Sequence, residues 1–215
     1  MSDLRSQTDA QIEKTRSGNP TFMAAVDALI EEARAFETGG NALSLGQGTP
    51  DFALPDANGK SVSLAALLQK GPVVVTFYRG GWCPYCNLEL RALQSKLEEI
   101  HQLGAQLVAI SPQKPDESLT QLEKQDLAFP VLSDQDAKVA QAFGVAWTVP
   151  DVLTEHMRKD RQLDLTAINN GNGNVLPIPA TFVLNAKGEV VWRFVDVDYR
   201  KRAEPDDVIA ALKGL

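Results

Sequence analysis

Residues 73–86 read VVVTFYRGGWCPYC and predict a buried strand that leads directly into a helix. The run from Val73 to Tyr78 is β-branched and aromatic without alternation, which is typical of a central strand covered on both faces. Pro84 suits the first turn of a helix, because its missing N–H would have no partner there in any case. The helix continues to about Gly104, with apolar residues at helical spacing at Leu88, Leu90, Leu93, Leu97 and Ile100.

A second buried run, AQLVAIS at 105–111, completes a strand–helix–strand unit, which is expected to cross over in the right-handed sense. Further along, ATFVLN and EVVWRFV predict two strands, followed by a helix from about Pro205. Weaker patterns predict a hairpin around Asn58-Gly59, a helix over 116–126, a strand near 130–132, a helix over about 135–143 and a possible helix over 152–159. This order predicts an α/β, thioredoxin-like fold in which helices flank a central mixed sheet.

The chain is expected to divide into an N-terminal helical extension, residues 1–42, and a thioredoxin-like domain, residues 43–215. In the extension, apolar residues from Phe22 onward recur at helical spacing until Gly39-Gly40 ends the run. Such a helix either packs on its own domain or supplies a contact with a partner, and a homodimer is one possibility. The pattern alone is compatible with both.

Charge and hydropathy narrow the range of partners. The 215 residues carry a formal net charge of −7, whereas nucleic acids and anionic membranes attract clustered Lys and Arg, so neither is expected as a partner. The first 20 residues mix charges of both signs and lack the apolar core of a secretory signal. No run approaches the roughly 18 apolar residues of a membrane span. A cytoplasmic protein is therefore expected.

The two cysteines of the chain, Cys83 and Cys86, lie three residues apart at the predicted start of a helix. The unpaired N–H groups and the dipole of a helix N-terminus stabilise an anion, so a thiolate there has a lowered pKa and can attack S–S or O–O bonds. Zinc binding is disfavoured, because only His101 and His156 could add ligands to a site that needs about four. Two inert core cysteines are disfavoured by the Pro-containing turn. A redox pair without metal or other cofactor is therefore predicted.

The segment FYRGGWCPYCNLE at 77–89 resembles the active-site segment of peroxiredoxins, the alkyl hydroperoxide reductase and thiol-specific antioxidant family, in its branch with a WCPYC motif. The resemblance extends from Gly46 to Leu215. On the family's spacing, Cys86 takes the position of the peroxidatic cysteine and Glu89 matches the family's Glu, while Cys83 takes the place of a Thr. The resemblance implies a thiol peroxidase.

Two further positions depart from the family. Arg79 stands in the place of its Pro, and Pro179 stands in the place of its Arg. The segment IPATF around Pro179 is similar instead to the cis-proline strand of thioredoxins, so a cis bond is expected, with a trans proline at a strand start as the alternative. Because a peroxidatic site needs a cation near the departing oxygen, Arg79 is the candidate for that role, and an exposed loop arginine is the alternative. Trp82 is expected to shield the sulfur, and Pro84 and Tyr85 complete the supporting set.

The resemblance implies a hydroperoxide substrate and a thioredoxin- or glutathione-type reductant of the resulting disulfide. Thioredoxin logic makes Cys83 the nucleophile, whereas peroxiredoxin spacing makes it Cys86, and both orders stay open. The second reading is a thiol-disulfide oxidoreductase that acts on protein disulfides. The third is a redox-sensing module that oxidises without turnover.

Weaker expectations concern three other polar regions. His101 and His156 are expected at the surface. Residues 196–202, DVDYRKR, are similar to an acidic-Tyr-basic segment of the same branch and are expected to form a solvated turn before the last helix. The Asn/Gly loop at 169–174 is either a flap that borders the sulfur site or a plain flexible loop.

Overall fold

The computed structural model describes residues 3–36, 41–114, 127–172 and 174–215. Its strands are β1 (Ala53–Pro55), β2 (Ser61–Ser63), β3 (Val73–Phe77), β4 (Gln106–Ser111), β5 (Val131–Ser133), β6 (Ala146–Thr148), β7 (Val175–Pro177), β8 (Ala180–Leu184) and β9 (Val190–Val195). Its helices are α1 (Leu4–Gly18), α2 (Pro20–Phe36), α3 (Leu64–Leu68), α4 (Pro84–Ser95), α5 (Leu97–Gln102), α6 (Lys138–Ala142), α7 (Asp151–Arg161), α8 (Leu165–Ile168) and α9 (Pro205–Lys213). Within this described part of the chain, no helix combines the length and the apolar character that crossing a membrane requires.

A five-stranded mixed sheet in the order β5-β4-β3-β8-β9 forms the centre of the protein. β4 pairs in parallel with β3 and β5, whereas β8 lies antiparallel to β3 and β9. All five residues of the central strand β3 are buried, which explains why its sequence shows no polar alternation. The predicted α/β architecture, with helices around a central mixed sheet, is confirmed. The predicted hairpin is formed by β1 and β2.

Apolar side chains pack on both faces of this sheet, because side chains alternate along each strand. On one face, the ring of Phe143 lies 5.1 Å from that of Phe77 and 5.3 Å from that of Phe182, measured between centroids. On the other face, Val74 and Tyr78 belong to a second core cluster that contains buried residues of α4, α5 and α9. Both cysteines belong to this second cluster.

The two N-terminal helices pack on the rest of the chain. α1 contacts α4. The Glu204 carboxylate accepts hydrogen bonds from the backbone N–H groups of Leu4 and Arg5, at 3.2 and 2.6 Å. These are two of the N–H groups that a helix N-terminus leaves without an intrahelical partner, so Glu204 ties α1 to the start of α9. α2 ends at Phe36, and the predicted stop at Gly39-Gly40 lies outside the described residues.

Several predictions of local structure differ from what is observed. The single helix predicted from Pro84 to Gly104 is divided into α4 and α5, because the backbone of Lys96 (φ −106°, ψ 2°) leaves the helical range. No peptide bond among the described residues is cis, so the cis bond predicted before Pro179 is wrong. Only Ile178 and Pro179 separate β7 from β8, and the trans bond keeps the chain extended between these strands. The helix predicted over 116–126 lies outside the described residues.

Gly144 is required where the chain at Asn41 crosses the end of α6. Gly144 has a φ of +70°, and a Cβ there would lie 1.9 Å from the Asn41 carbonyl oxygen. A left-handed non-Gly residue costs roughly 1–2 kcal/mol, and the clash in Gly144→Ala adds to that cost. Each kcal/mol lowers the Tm of a chain this size by about 2–4 °C, which calorimetry measures. Gly104→Ala, with a φ of +73° and no atom near its Cβ, should show the strain alone. Equal losses in both variants would contradict the proposed clash.

Candidate active site

The loop between β3 and α4 fixes the orientation of Cys83. Gly80 has a φ of +148°, and a Cβ there would lie 2.4 Å from Trp82 Nε1, so glycine lets the indole lie against the backbone. The N–H of Cys83 donates to the Gly80 carbonyl at 3.1 Å. The Gly81 N–H donates to the Gln113 side-chain oxygen at 2.8 Å, which anchors the loop to the residue beyond β4.

Cys83 is the N-cap residue of α4, Pro84 is its first residue, and Cys86 follows one turn on. Both cysteines are free, and their sulfurs lie within hydrogen-bond distance of each other. Cys83 is 1% exposed and Cys86 is 0% exposed. Both sulfurs are enclosed because α1 and α2 cover the N-terminus of α4. No group of three or more His, Cys, Asp or Glu side chains within the described ranges is arranged to hold a metal ion.

Arg202, which was not predicted as a site residue, contacts both Cys86 and Glu89. Its Nη2 donates to Cys86 Sγ at 3.2 Å, and its Nε lies 2.8 Å from Glu89 Oε2. The Nε–H is not directed at Oε2, so this second contact is an ion pair without a hydrogen bond. Both charged side chains are 1% exposed. A guanidinium in such a place stabilises negative charge on the neighbouring sulfur, because little water screens the interaction.

The segment that carries Arg202 is not the solvated turn expected from the sequence. Asp198, Arg200 and Arg202 are all buried. Arg200 binds the Asp198 carboxylate with two hydrogen bonds of 2.8 and 3.0 Å and reaches Asp27 of α2 at 2.6 Å. Arg34 of α2 lies 3.8 Å from Asp198. Each buried charge is paired, and the pairing offsets the free-energy cost of removing that charge from water. Residues 196–202 can therefore fold inward, where they hold α2.

Glu89 lies under the cysteines, with its carboxylate on the central sheet. Its Oε1 lies 3.5 Å from the Thr76 hydroxyl and 3.4 Å from the Thr181 hydroxyl, and these hydroxyls lie 3.0 Å apart on paired strands. Burial raises the pKa of Glu89 to about 7, although Arg202 opposes the shift. Negative charge on Cys83 adds to the increase.

Arg79 is buried, so the alternative of an exposed loop arginine is wrong. Its guanidinium carbon lies 4.1 Å from the centroid of the Tyr199 ring and 4.9 Å from that of Trp82, which are cation–π distances. The Tyr199 ring meets the edge of the Tyr85 ring at 5.8 Å. The structure therefore brings Trp82, Tyr85 and Arg79 together beside Cys83.

The two thiols differ in acidity. Burial opposes ionisation of Cys83, but a hydrogen bond from Cys86 and the charges of Arg79 and Arg202 outweigh it and hold the pKa of Cys83 well below its usual value. Burial raises the pKa of the Cys86 thiol, and the hydrogen bond to Cys83 and the negative charge there raise it further. As pH rises, the first negative charge of the pair is therefore expected on Cys83.

Two adjoining cavities lie between the cysteine loop and the N-terminal helices. The first, the sulfur cavity, has a volume of about 270 Å³ and is lined by Cys83, Trp82 and Tyr85 together with residues of α1 and α2. The second, the apolar cavity, lies along α2 and includes Ile178 and Pro179 in its lining. Arg79 and Tyr199 line both cavities.

The remaining predictions have mixed outcomes. His101 is exposed, as predicted, whereas the side chain of His156 lies outside the description. None of the described residues of the loop at 169–174 lines either cavity, so the alternative of a flap at the sulfur site is not supported. Arg202 belongs to RKR at 200–202, the only run of three consecutive basic residues in the chain. Because the chain lacks the family's Arg at position 179, this basic run is the sequence feature that could have indicated another arginine at the site.

Comparison with known proteins places this site in a family. Residues 45–193 match the family model described as the AhpC/TSA family. The chain belongs to the AhpC/TSA family. Peroxiredoxin Bcp of Escherichia coli K12 is 35% identical over 105 residues, which cover 49% of this chain and 67% of that protein. A putative peroxiredoxin of Mycobacterium tuberculosis H37Rv is 38% identical over 102 residues, which cover 47% of this chain and 64% of that protein.

Two solved structures superimpose on most of the chain. Peroxidoxin BcpB from Mycobacterium tuberculosis has a TM-score of 0.62 at 24% identity and covers 80% of this chain and 98% of its own. Peroxiredoxin Q of Xanthomonas campestris has a TM-score of 0.55 at 25% identity, with coverage of 76% and 90%. The predicted thioredoxin-like fold is confirmed. The range matched by the AhpC/TSA model includes neither α1 and α2 nor Arg202.

The acidity of Cys83 can be measured from thiolate absorbance at 240 nm in the reduced protein. We expect a titration well below the ordinary Cys pKa of about 8.5, because Arg79 and Arg202 stabilise the thiolate. Cys83→Ser should remove this titration. Cys86→Ser should keep it at a somewhat higher pKa, since only the hydrogen bond is lost. A low pKa that survives in Cys83→Ser would place the charge on Cys86 instead.

The Glu89 carboxyl should be protonated below about pH 7 and ionised above it. Infrared spectroscopy should show a carboxylic C=O band that fades through about pH 7 and is missing in Glu89→Gln. Because this pKa is raised from 4.5, the contribution of Glu89 to stability is present at low pH and is lost as pH rises through about 7. The half-buried Glu99, whose pKa is lowered by a hydrogen bond from Lys213, gives the control Glu99→Gln, which should keep the band. Absence of any protonated carboxyl band between pH 5 and 7 would contradict this assignment.

Proposed function

We propose that this protein is a thiol peroxidase that reduces hydroperoxides with Cys83 and Cys86 and is then reset by an external thiol. The observation that carries the proposal is the pair of sulfurs at the N-terminus of α4, one of them acidic, enclosed together with the guanidinium groups of Arg79 and Arg202. Thiolate, cation and limited water access are the three requirements for attack on an O–O bond. Membership of the AhpC/TSA family supports the same function.

The reaction divides into two steps. In the first, a thiolate attacks the terminal oxygen of the hydroperoxide, the O–O bond breaks, and the alkoxide takes a proton and leaves as an alcohol. The attacking sulfur becomes a sulfenic acid. In the second, the other thiol attacks this sulfur, and its proton leaves with the hydroxyl group as water. One hydroperoxide is thus reduced to an alcohol and water, while two thiols are oxidised to the Cys83–Cys86 disulfide.

Cys83 is the proposed first nucleophile, with Cys86 as the resolving cysteine. Cys83 lines the sulfur cavity and carries the lowered pKa, whereas the fully buried Cys86 lines neither cavity. Arg202 then has a role in the second step, because its hydrogen bond to Cys86 stabilises the thiolate that must form there. This order departs from the family's spacing, which gives Cys86 the first role.

Each supporting residue has a separate proposed role. Arg79 supplies positive charge at Cys83, and Trp82 and Tyr85 exclude water from the sulfur cavity. Glu89 holds Arg202 in place. Pro84 starts α4 at the cysteine turn, and Pro179 contributes to the wall of the apolar cavity.

The second reading, disulfide exchange on folded proteins through Cys83, has less support. A protein disulfide must approach the attacking sulfur closely, and both sulfurs are enclosed.

Cytoplasmic location fits a cysteine pair that must be kept reduced. We also propose that residues 1–42 form a helical extension that covers the sulfur site of the domain at 43–215, supported by the contacts of α1 and α2 with that site. A homodimer stays a proposal that the oligomeric state in solution would test.

Stopped-flow oxidation of the reduced protein by hydrogen peroxide, followed by tryptophan fluorescence, tests the function. Wild type should react in two phases, the first much faster than free cysteine. Cys83→Ser should lose both phases, and Cys86→Ser only the second. Arg202→Gln should slow the second phase at least about tenfold, because removing one donor to a developing anion commonly costs 10²–10³. The exposed Arg91 provides the control Arg91→Gln, which should behave as wild type.

Two other outcomes of this experiment are informative. A fast phase that is lost in Cys86→Ser and kept in Cys83→Ser would reverse the order of attack and leave the peroxidase function standing. A rate no faster than that of free cysteine in every protein would overturn the peroxidase function. Disulfide exchange, assayed as insulin reduction, would then be the function to test.

A further inference from the structure

Arg79 differs from the other buried arginines of the site because its guanidinium has no acidic partner. Arg200 pairs with Asp198, and Arg202 pairs with Glu89. Arg79 is 7% exposed and contacts the ring faces of Trp82 and Tyr199, yet no described residue accepts a hydrogen bond from it or forms an ion pair with it. A buried cation without a carboxylate partner carries a desolvation cost that an anionic ligand would offset.

The free N–H groups of Arg79 lie where a ligand can reach them. Arg79 lines both the sulfur cavity and the apolar cavity, and it is the only positively charged side chain among the described residues that line either one. The guanidinium carbon lies over the rings of Trp82 and Tyr199, and a contact with ring faces uses none of the five N–H donors that can bind a planar anion such as a carboxylate.

The redox state of the cysteines changes the surroundings of Arg79. In the reduced protein, the Cys83 thiolate supplies negative charge near this guanidinium. Formation of the Cys83–Cys86 disulfide removes that charge, while Arg202 keeps Glu89 as its partner. The oxidised protein is the form that must receive electrons. It is therefore also the form in which Arg79 should bind an anion most strongly, because the thiolate charge is gone.

The electron donor must also be small enough to enter. α1 and α2 contribute Gln11, Thr15, Phe22 and Met23 to the wall of the sulfur cavity. α2 is held over the site by the ion pair of Asp27 with Arg200. Because cysteines at i and i+3 can form a disulfide within one helical turn, oxidation does not require these helices to separate. A cavity of about 270 Å³ admits a small thiol but not the surface of a protein dithiol.

We propose that the electron donor is a low-molecular-weight thiol that carries a carboxylate, and that Arg79 binds this carboxylate. The inference rests on the proposed function, since it concerns the half of that reaction in which the disulfide is reduced. The thiolate of the donor attacks Cys83 Sγ, the S–S bond breaks, and Cys86 leaves as a thiolate that takes a proton. A second donor molecule attacks the mixed disulfide, which releases the donor as its own disulfide and returns Cys83 to the thiolate.

The test measures reduction of the disulfide by three small thiols that differ in charge: 3-mercaptopropionate, 2-mercaptoethanol and cysteamine. The protein is first oxidised with diamide, so that preparation does not depend on peroxidase activity. After correction for the thiolate fraction of each thiol, wild type should prefer the anionic thiol over the neutral one at least about tenfold, as a charge-assisted hydrogen bond allows. Cysteamine should be the slowest.

Variants of Arg79 distinguish loss of carboxylate binding from a general change in the reactivity of the disulfide. Arg79→Gln should reduce the ratio of the anionic to the neutral rate to near one, while the neutral rate itself reports any change in the disulfide. Arg79→Lys should keep part of the preference, because it keeps the charge but not the planar fork. The exposed control Arg91→Gln should keep all of it. Unchanged preference in Arg79→Gln, or no preference in wild type, would overturn the proposal.

A second arm tests the size of the donor. The rates of a thioredoxin and of 3-mercaptopropionate are compared on this protein and on insulin, whose disulfides serve as the reference. The ratio of the thioredoxin rate to the small-thiol rate should be at least about tenfold lower on this protein, and a ratio as high as on insulin would overturn the small-donor proposal. If peroxide fails to oxidise the cysteines while the charge preference holds, the peroxidase function fails and the donor site stands.

Discussion

The arrangement of the sulfur site depends on the buried ion pair between Arg202 and Glu89. Each of these charges alone would cost several kcal/mol at such depth, and together they offset part of that cost. Glu89 is held from below by two hydroxyls of the central sheet, and Arg202 is held above it in contact with Cys86. Without Glu89 the guanidinium would lose its only carboxylate partner among the described residues, and without Arg202 the Cys86 sulfur would lose the charged donor that contacts it.

This pair also explains why the chain between β9 and α9 folds inward. The segment alternates between contacts with the site and contacts with α2: Arg202 and Tyr199 face the sulfurs and Arg79, whereas Asp198 and Arg200 hold α2. Glu204, two residues beyond Arg202, accepts from the first turn of α1. One short stretch of chain therefore assembles the site and also holds the two helices that enclose it.

The sequence predicted most of the fold because the fold depends on local patterns. The apolar run at 73–78, the helix after Pro84 and the closing strand pair each carry their signal within a few residues. β6 and β7 were not predicted, since each has three residues and their pairing spans a long polar insertion. The cysteine pair, Glu89 and the place of Trp82 beside the sulfur followed from the motif and its place at a strand end.

The parts of the site that were not predicted depend on contacts between distant residues. Arg202 lies 116 positions from Cys86, and nothing in the composition of DVDYRKR distinguishes a buried ion-pair network from a solvated turn. The enclosure of Cys83 likewise comes from helices more than 50 positions earlier in the chain, outside the range that the family shares. The trans bond at Pro179 was also not predictable from local sequence, because it depends on how β7 continues into β8.

The Thr76–Thr181 hydroxyl pair attaches the site to the two strands at the middle of the sheet. Backbone amides in such strands exchange with solvent only when the whole domain opens, whereas loops and chain ends open far more often. A carboxylate bound there shares the lifetime of the native state. The position of Glu89 beneath the cysteines is thus insulated from local fraying.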